Sequence, residues 1–79
     1  MDYKALDKEY IVNVYNRLDA VIDHGKGAVL YDVNGKEYID LSAGIAVNIF
    51  GVCDDVWKNA VISQLNTLSH ISNVFYTCL

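Results

Sequence analysis

Apolar and polar positions change period several times along this chain, and each change marks an element. Between residues 7 and 18, Tyr10, Ile11, Val14, Tyr15 and Leu18 fall on one side of a 3.6-residue repeat, which predicts a helix. Asp7 stands where an N-cap belongs, and Asp7, Lys8 and Glu9 put net negative charge in the first turn. Val12 and Val14 lower the helix propensity, so this helix needs a surface to pack on. Residues 20–24 read as a short strand. Gly25-Lys26-Gly27 interrupts it, because glycine adopts positive φ without a Cβ penalty. Residues 28–32 form the next strand, with Val29, Tyr31 and Val33 on one face and Ala28, Leu30 and Asp32 on the other. Asn34-Gly35 predicts a type I′ hairpin turn, which needs positive φ at both central residues. Residues 36–41 return as the third strand.

Residues 42–51 are small and apolar, broken by Gly44 and holding Asn48, with neither period. They read as a loop that lets backbone come close to something else. Asp54 or Asp55 caps a second helix running to about Ser69, with Trp57, Val61, Leu65 and Leu68 as its apolar stripe and Ala60 beside it. Trp57 is expected against the sheet or a partner chain. Residues 71–76 are extended and aromatic. The fold class is α+β: an N-terminal helix, a three-stranded antiparallel sheet with an Asn-Gly hairpin, a second helix and an extended tail. Three strands with a half-apolar face can be stable when packed on a helix.

Composition adds a tension to this picture. A chain of 79 residues buries only about 60% of its unfolded surface, yet 53% of its residues are hydrophobic. The surplus predicts apolar faces that await a partner or self-associate. The net charge is −4 with the acids scattered and no basic stripe, which argues against nucleic acid. No stretch approaches the roughly 20 apolar residues of a membrane helix, and the first residues hold no signal core. Two cysteines, Cys53 and Cys78, with no metal spacing suit a reducing cytoplasm.

No residue set stands out as an active site. His24 and His70 lie far apart, with no second ligand at fixed spacing. Asp54-Asp55 reads as a helix cap rather than a carboxylate pair. Cys53 has no neighbouring cation in sequence to lower its pKa. Gly25-Lys26-Gly27 lacks the spacing of a phosphate loop, and a strand follows it. Ser42 has no recognisable base or oxyanion site.

One resemblance is specific. Gly25-Lys26-Gly27, Tyr31-Asp32, Asn34-Gly-Lys-Glu-Tyr-Ile-Asp40, Ser42-Ala-Gly-Ile-Ala-Val-Asn48 and Gly51 resemble, in this order and spacing, the N-terminal part of class III pyridoxal-phosphate aminotransferases. Ser69-His-Ile-Ser-Asn-Val-Phe-Tyr-Thr77, Asp7-Lys-Glu-Tyr-Ile11 and Arg17 fit the same pattern. Within the class, the branch acting on acetylornithine is the most similar. Two departures stand out. The family's histidine-rich turn closing on proline is Val52-Cys53-Asp54-Asp55 here, and its acidic residue and proline after Thr77 are Cys78-Leu79.

The resemblance implies a fold type I dimer. It would move an amino group from acetylornithine or a related ω-amino acid to 2-oxoglutarate, in arginine biosynthesis. It implies that residues 1–79 are the N-terminal segment without the large cofactor-binding domain. The chemistry needs a Schiff-base lysine and an acidic partner for the pyridine nitrogen. In the family both lie beyond position 79, and Lys4, Lys8, Lys26, Lys36 and Lys58 do not fit the role. The expectation is therefore no cofactor, no metal and no catalysis by this chain alone. Gly44 and Ile45 would border the substrate side chain, with Phe75 and Tyr76 near the same pocket. Gly44 has a second reading as a residue that merely permits a tight backbone path. The other reading of the whole chain is a small acidic protein-interaction module that reuses this segment.

Overall fold

The computed structural model describes residues 1–78; Leu79 lies outside the described residues. The elements in chain order are α1 (Tyr3–Tyr10), β1 (Ile22–Lys26), β2 (Val29–Asp32), β3 (Glu37–Ile39), α2 (Ala43–Ala46) and α3 (Asp55–Thr67). The helix–sheet–helix order and the antiparallel sheet agree with the sequence pattern.

The first helix does not lie where the apolar period placed it. Asp2, not Asp7, is the N-cap: its carboxylate accepts from the Ala5 N–H at 3.0 Å. The helix stops at Tyr10, and Ile11 is already extended with φ −103° and ψ 134°. Ile11, Val12 and Val14 are β-branched, and no element packs on this face to offset their cost in a helix. Residues 11–20 instead run back without regular structure, tied to α1 by Lys4–Asp19 and by Arg17–Asp7 at 3.2 Å.

The sheet has the order β1-β2-β3, antiparallel throughout. Gly25 pairs with Leu30 and Lys26 with Val29, so β1 runs through the glycine stretch that was expected to interrupt it. Leu30 then pairs with Tyr38 across β3. The β2–β3 connection differs from a type I′ turn. The Gly35 N–H donates to the Asp32 carbonyl at 2.9 Å, and the Asp32 N–H to the Lys36 carbonyl at 3.0 Å. Gly35 has φ +81°, while Asn34 stays out of the left-handed region. This is a three-residue loop closed by a glycine in the left-handed conformation.

Asp32 organises that loop. One oxygen accepts from the Asn34 and Lys36 N–H groups, both at 2.9 Å, and the other from the Tyr38 hydroxyl at 3.0 Å. It is the only buried residue of the described chain. The Lys36 N–H, with lesser help from Asn34 and Tyr38, holds its carboxyl below the ordinary 3.8 against the opposing effect of desolvation.

There is no apolar core among the described residues. Among the described residues no helix packs on the sheet or on another helix, so the sheet lacks the cover that would steady it. Trp57 is 57% exposed rather than covered. The radius of gyration is 17.4 Å, against about 12 Å for a compact chain of this length. The accessible surface is 7328 Å², against about 4,800 Å² for a compact 8.8 kDa protein. The apolar surplus seen in the sequence therefore lies bare. No described helix is long and apolar enough to cross a membrane.

Candidate functional site

The loop between β3 and α3 carries the unusual geometry. Its two ends are tied to adjacent residues of the first hairpin. At one end the Asp40 N–H donates to the Ala28 carbonyl at 2.8 Å. At the other, Gly27 and Val52 exchange two backbone bonds of 2.8 and 2.9 Å. Residues 40–52 thus form a closed loop with adjacent ends, the arrangement of an Ω-loop. Gly27 and Gly51 make the closure possible. A Cβ on Gly51 would lie 2.9 Å from the Gly27 Cα, and Gly51 has φ +92°.

Asp40 starts the loop. Its carboxylate accepts from the Ser42 N–H at 3.2 Å, the Ser42 hydroxyl at 3.1 Å and the Ala43 N–H at 3.0 Å. The next element, α2, turns the wrong way for L-residues. Ala43, Gly44, Ile45 and Ala46 have φ of +51°, +63°, +60° and +61°. Left-handed backbone costs about 1–2 kcal/mol at each non-glycine residue, and three of these four are not glycine. Beyond the Asp40 carboxylate, the turn is bonded within itself: the Ala46 N–H donates to Ser42 O, and the Val47 and Asn48 N–H groups to Ala43 O. The Ile45 side chain at its apex is 91% exposed.

Behind the turn lies a shallow cleft of about 320 Å³, lined by Gly27, Ala28, Asp40, Ala43, Asn48 and Gly51 among others. The start of α3 is pinned beside it. The Asp54 carboxylate accepts from the Trp57 N–H at 2.9 Å, as an N-cap. The Lys26 ammonium donates to the Cys53 carbonyl at 2.8 Å and pairs with Asp55 at 3.1 Å; Asp55 also meets Lys58 at 3.1 Å. The Lys26 bond, then that of Lys58, holds the Asp55 carboxyl below its ordinary value.

Gly44 and Ile45 therefore sit on the left-handed turn. Phe75 and Tyr76 lie at the far end of the chain, after a turn in which the Phe75 N–H donates to Ser72 O at 3.1 Å, and both are exposed. That turn interrupts the stretch expected to be extended. The cleft behind the turn is lined by neither pair. Asp40, Asn48 and the Gly27–Gly51 contact were not singled out as site residues. Asp followed two positions later by Ser, ahead of a small-residue run, is a legible sign of such a side-chain-capped turn.

Among the described residues no His, Cys, Asp and Glu cluster is arranged to hold a metal. The fold of the chain is shared with proteins of known structure. An ornithine aminotransferase of Toxoplasma gondii, with pyridoxal phosphate at partial occupancy in its active site, superposes with a TM-score of 0.91 at 33% identity, over 96% of this chain and 18% of that one. In sequence, the mitochondrial acetylornithine aminotransferase of Alnus glutinosa is 54% identical over 67 residues, 85% of this chain and 15% of that protein. The acetylornithine aminotransferase of Haemophilus ducreyi is 46% identical over 74 residues, 94% of this chain and 19% of that protein. The chain thus spans less than a fifth of the length of these relatives. Residues 10–78, which include the closed loop and its left-handed turn, match the class III aminotransferase family. By sequence and by fold, the chain belongs to the class III aminotransferases.

Proposed function

We propose that these residues form the substrate-entrance flank of an acetylornithine-type aminotransferase. The whole enzyme would move an amino group from acetylornithine, or a related ω-amino acid, to 2-oxoglutarate, in the cytoplasm and in arginine biosynthesis. Residues 1–79 are its N-terminal segment, and the large domain and a second subunit cover its bare faces. Gly44 and Ile45 border the substrate side chain, with Phe75 and Tyr76 near the same entrance. The 79 residues do not turn over by themselves.

One observation carries this reading: α2 is strained, and it is held from outside at its Asp40 end alone among the described residues. A turn with three left-handed non-glycine residues persists where its surroundings over-determine it. Here the Asp40 carboxylate holds one end, and the exposed face offers Ile45 to nothing. The conformation makes sense as one half of a contact. The surface excess points the same way, since about 2,500 Å² beyond a compact chain is the scale of an obligate interface.

Class III aminotransferases depend on pyridoxal phosphate. The residues of this chain do not fit its covalent anchor. All five lysines are exposed; Lys26 and Lys58 share Asp55, Lys4 pairs with Asp19, and Lys36 stands over the Tyr38 ring. An amine that attacks a carbonyl at neutral pH is desolvated or crowded by another cation in an enclosed site. No step through the cofactor is therefore assigned to this chain. Its own part is to shape and line.

Complementation tests the reading. An acetylornithine aminotransferase is prepared without the segment matching residues 1–79 and mixed with this chain. Amino transfer is expected only in the mixture. For the chain alone with pyridoxal phosphate, borohydride is expected to fix no cofactor at a defined lysine. Transfer by the chain alone, or a single-site adduct, overturns the proposal.

A further inference from the structure

From the last residue of the first helix toward the sheet runs Tyr10-Ile-Val-Asn-Val-Tyr15, without charge, proline or glycine, and all but Asn13 favour β structure. Such a segment is the signature of chains that stack in register as cross-β. Most natural segments of this kind are hidden in a sheet or core. This one is not: residues 11–15 are all exposed and belong to no strand. Their backbone is also uncommitted. The Ile11 N–H donates to Asp7 O, and the Val14 N–H donates to Val12 O across a tight turn at Asn13. From Val12 to Asn16 the described backbone makes no other hydrogen bond.

We infer that residues 10–15 are a self-pairing surface whose partner is the same segment of a second copy of this chain. The chemistry selects an identical copy. In-register stacking sets like on like every 4.7–4.9 Å along the stack. Tyr10 and Tyr15 then stack on themselves, Asn13 forms an amide ladder, and no charge repels. A foreign strand would satisfy the backbone without these ladders. The inference rests on the segment's sequence and exposure, not on the aminotransferase reading.

Residues 45–50, Ile-Ala-Val-Asn-Ile-Phe, are one competing window, equally apolar and uncharged. Their backbone is already spent. The Ala46, Val47, Asn48 and Ile49 N–H groups all donate within the loop, and the residues through Ala46 are left-handed. Stacking there requires the loop to unwind first.

Two lysine substitutions at equally exposed valines separate the windows: Val12→Lys, where the side chain is 77% exposed, and Val47→Lys, where it is 75% exposed. The purified chain is incubated at low salt and monitored by thioflavin fluorescence and fibre diffraction. The wild type is expected to form fibres with the cross-β spacing. Val12→Lys sets like charges in a column and lengthens the lag about tenfold or more, and added salt shortens it again. Val47→Lys leaves the lag unchanged. Asn13→Pro, which removes an N–H that bonds nothing among the described residues, blocks assembly whatever the salt. A wild type that stays monomeric, or a lag that Val12→Lys leaves unchanged, overturns the inference. Self-pairing depends on chain concentration and the entrance reading does not. Complementation is therefore read with the wild-type chain at dilute concentration, before fibres form, and the two readings fail separately.

Discussion

Replacing Gly51 by valine is expected to open the 40–52 loop at its C-terminal end. Two costs coincide at this residue. Its φ of +92° lies where a β-branched residue is a genuine outlier, and a Cβ there would stand 2.9 Å from the Gly27 Cα and 3.1 Å from the Gly27 oxygen. The first cost is about 1–3 kcal/mol. The second cannot be relieved by a rotamer, because both atoms of the clash are backbone. The two Gly27–Val52 bonds are the tie that gives way, each worth about 0.5–1.5 kcal/mol. Amide exchange at Gly27 and Val52 reads the result: both protected in the wild type, both fast in the variant. Gly35→Val is the control. Its φ of +81° is also strained, but a Cβ there meets nothing within 4 Å. It should loosen the β2–β3 loop and leave Val52 protected. Protection at Val52 in Gly51→Val means the loop closes by some other contact. In the complementation assay the valine at position 51 is expected to abolish transfer, since α2 loses the anchor that aims it.

Removing the Asp32 carboxylate is expected to undo the second hairpin connection. Three donors converge on it, the Asn34 and Lys36 N–H groups and the Tyr38 hydroxyl. Asp32→Ala leaves all three without an acceptor, and exchange at Asn34 and Lys36 is expected to reach that of an open turn. Asp32→Asn keeps a carbonyl for the two backbone donors but presents an amide toward Tyr38, so the turn survives in part. Acid reads the same group. The folded carboxyl titrates below its unfolded value of 3.8, chiefly because the Lys36 N–H bonds the charged form. Its contribution is therefore complete above that value and is lost as pH falls through the folded pKa. Protection at Lys36 should fall in that acid range for the wild type and stay flat for Asp32→Asn. A wild type whose protection ignores acid would show that the carboxylate does not hold the turn.

What was legible in the sequence was what is decided within a few residues. The Asp54 cap, the start of α3 and the antiparallel pairing of residues 29–32 with 37–39 depend on local chemistry, and each lies near its expected place. The first helix was misplaced because Tyr10, Ile11, Val14, Tyr15 and Leu18 do fall on one helical face, but a face forms a helix only when something covers it. Asp2 and Asp7 are both succeeded by helix formers; the β-branched run at Ile11 and Val12 decided between them. The turn at Asn34-Gly35 was recognisable as a turn, but its type depended on Asp32 reaching forward to Lys36. The candidate site was legible by resemblance and hardly at all by physics. Small residues at 42–46 announce a close backbone path without announcing its hand, and three non-glycine residues at positive φ within four positions contradict every local preference.

The missing interior has a thermal consequence. Unfolding a protein raises its heat capacity in proportion to the apolar surface newly wetted. In this chain that surface is already wet, with the side chains of Leu18, Leu41, Ile45 and Tyr76 almost wholly open to solvent. Warming the solitary polypeptide should therefore give a shallow, drawn-out calorimetric trace with a small step. On the proposed reading, the same residues covered by the rest of an aminotransferase would acquire a sharp one.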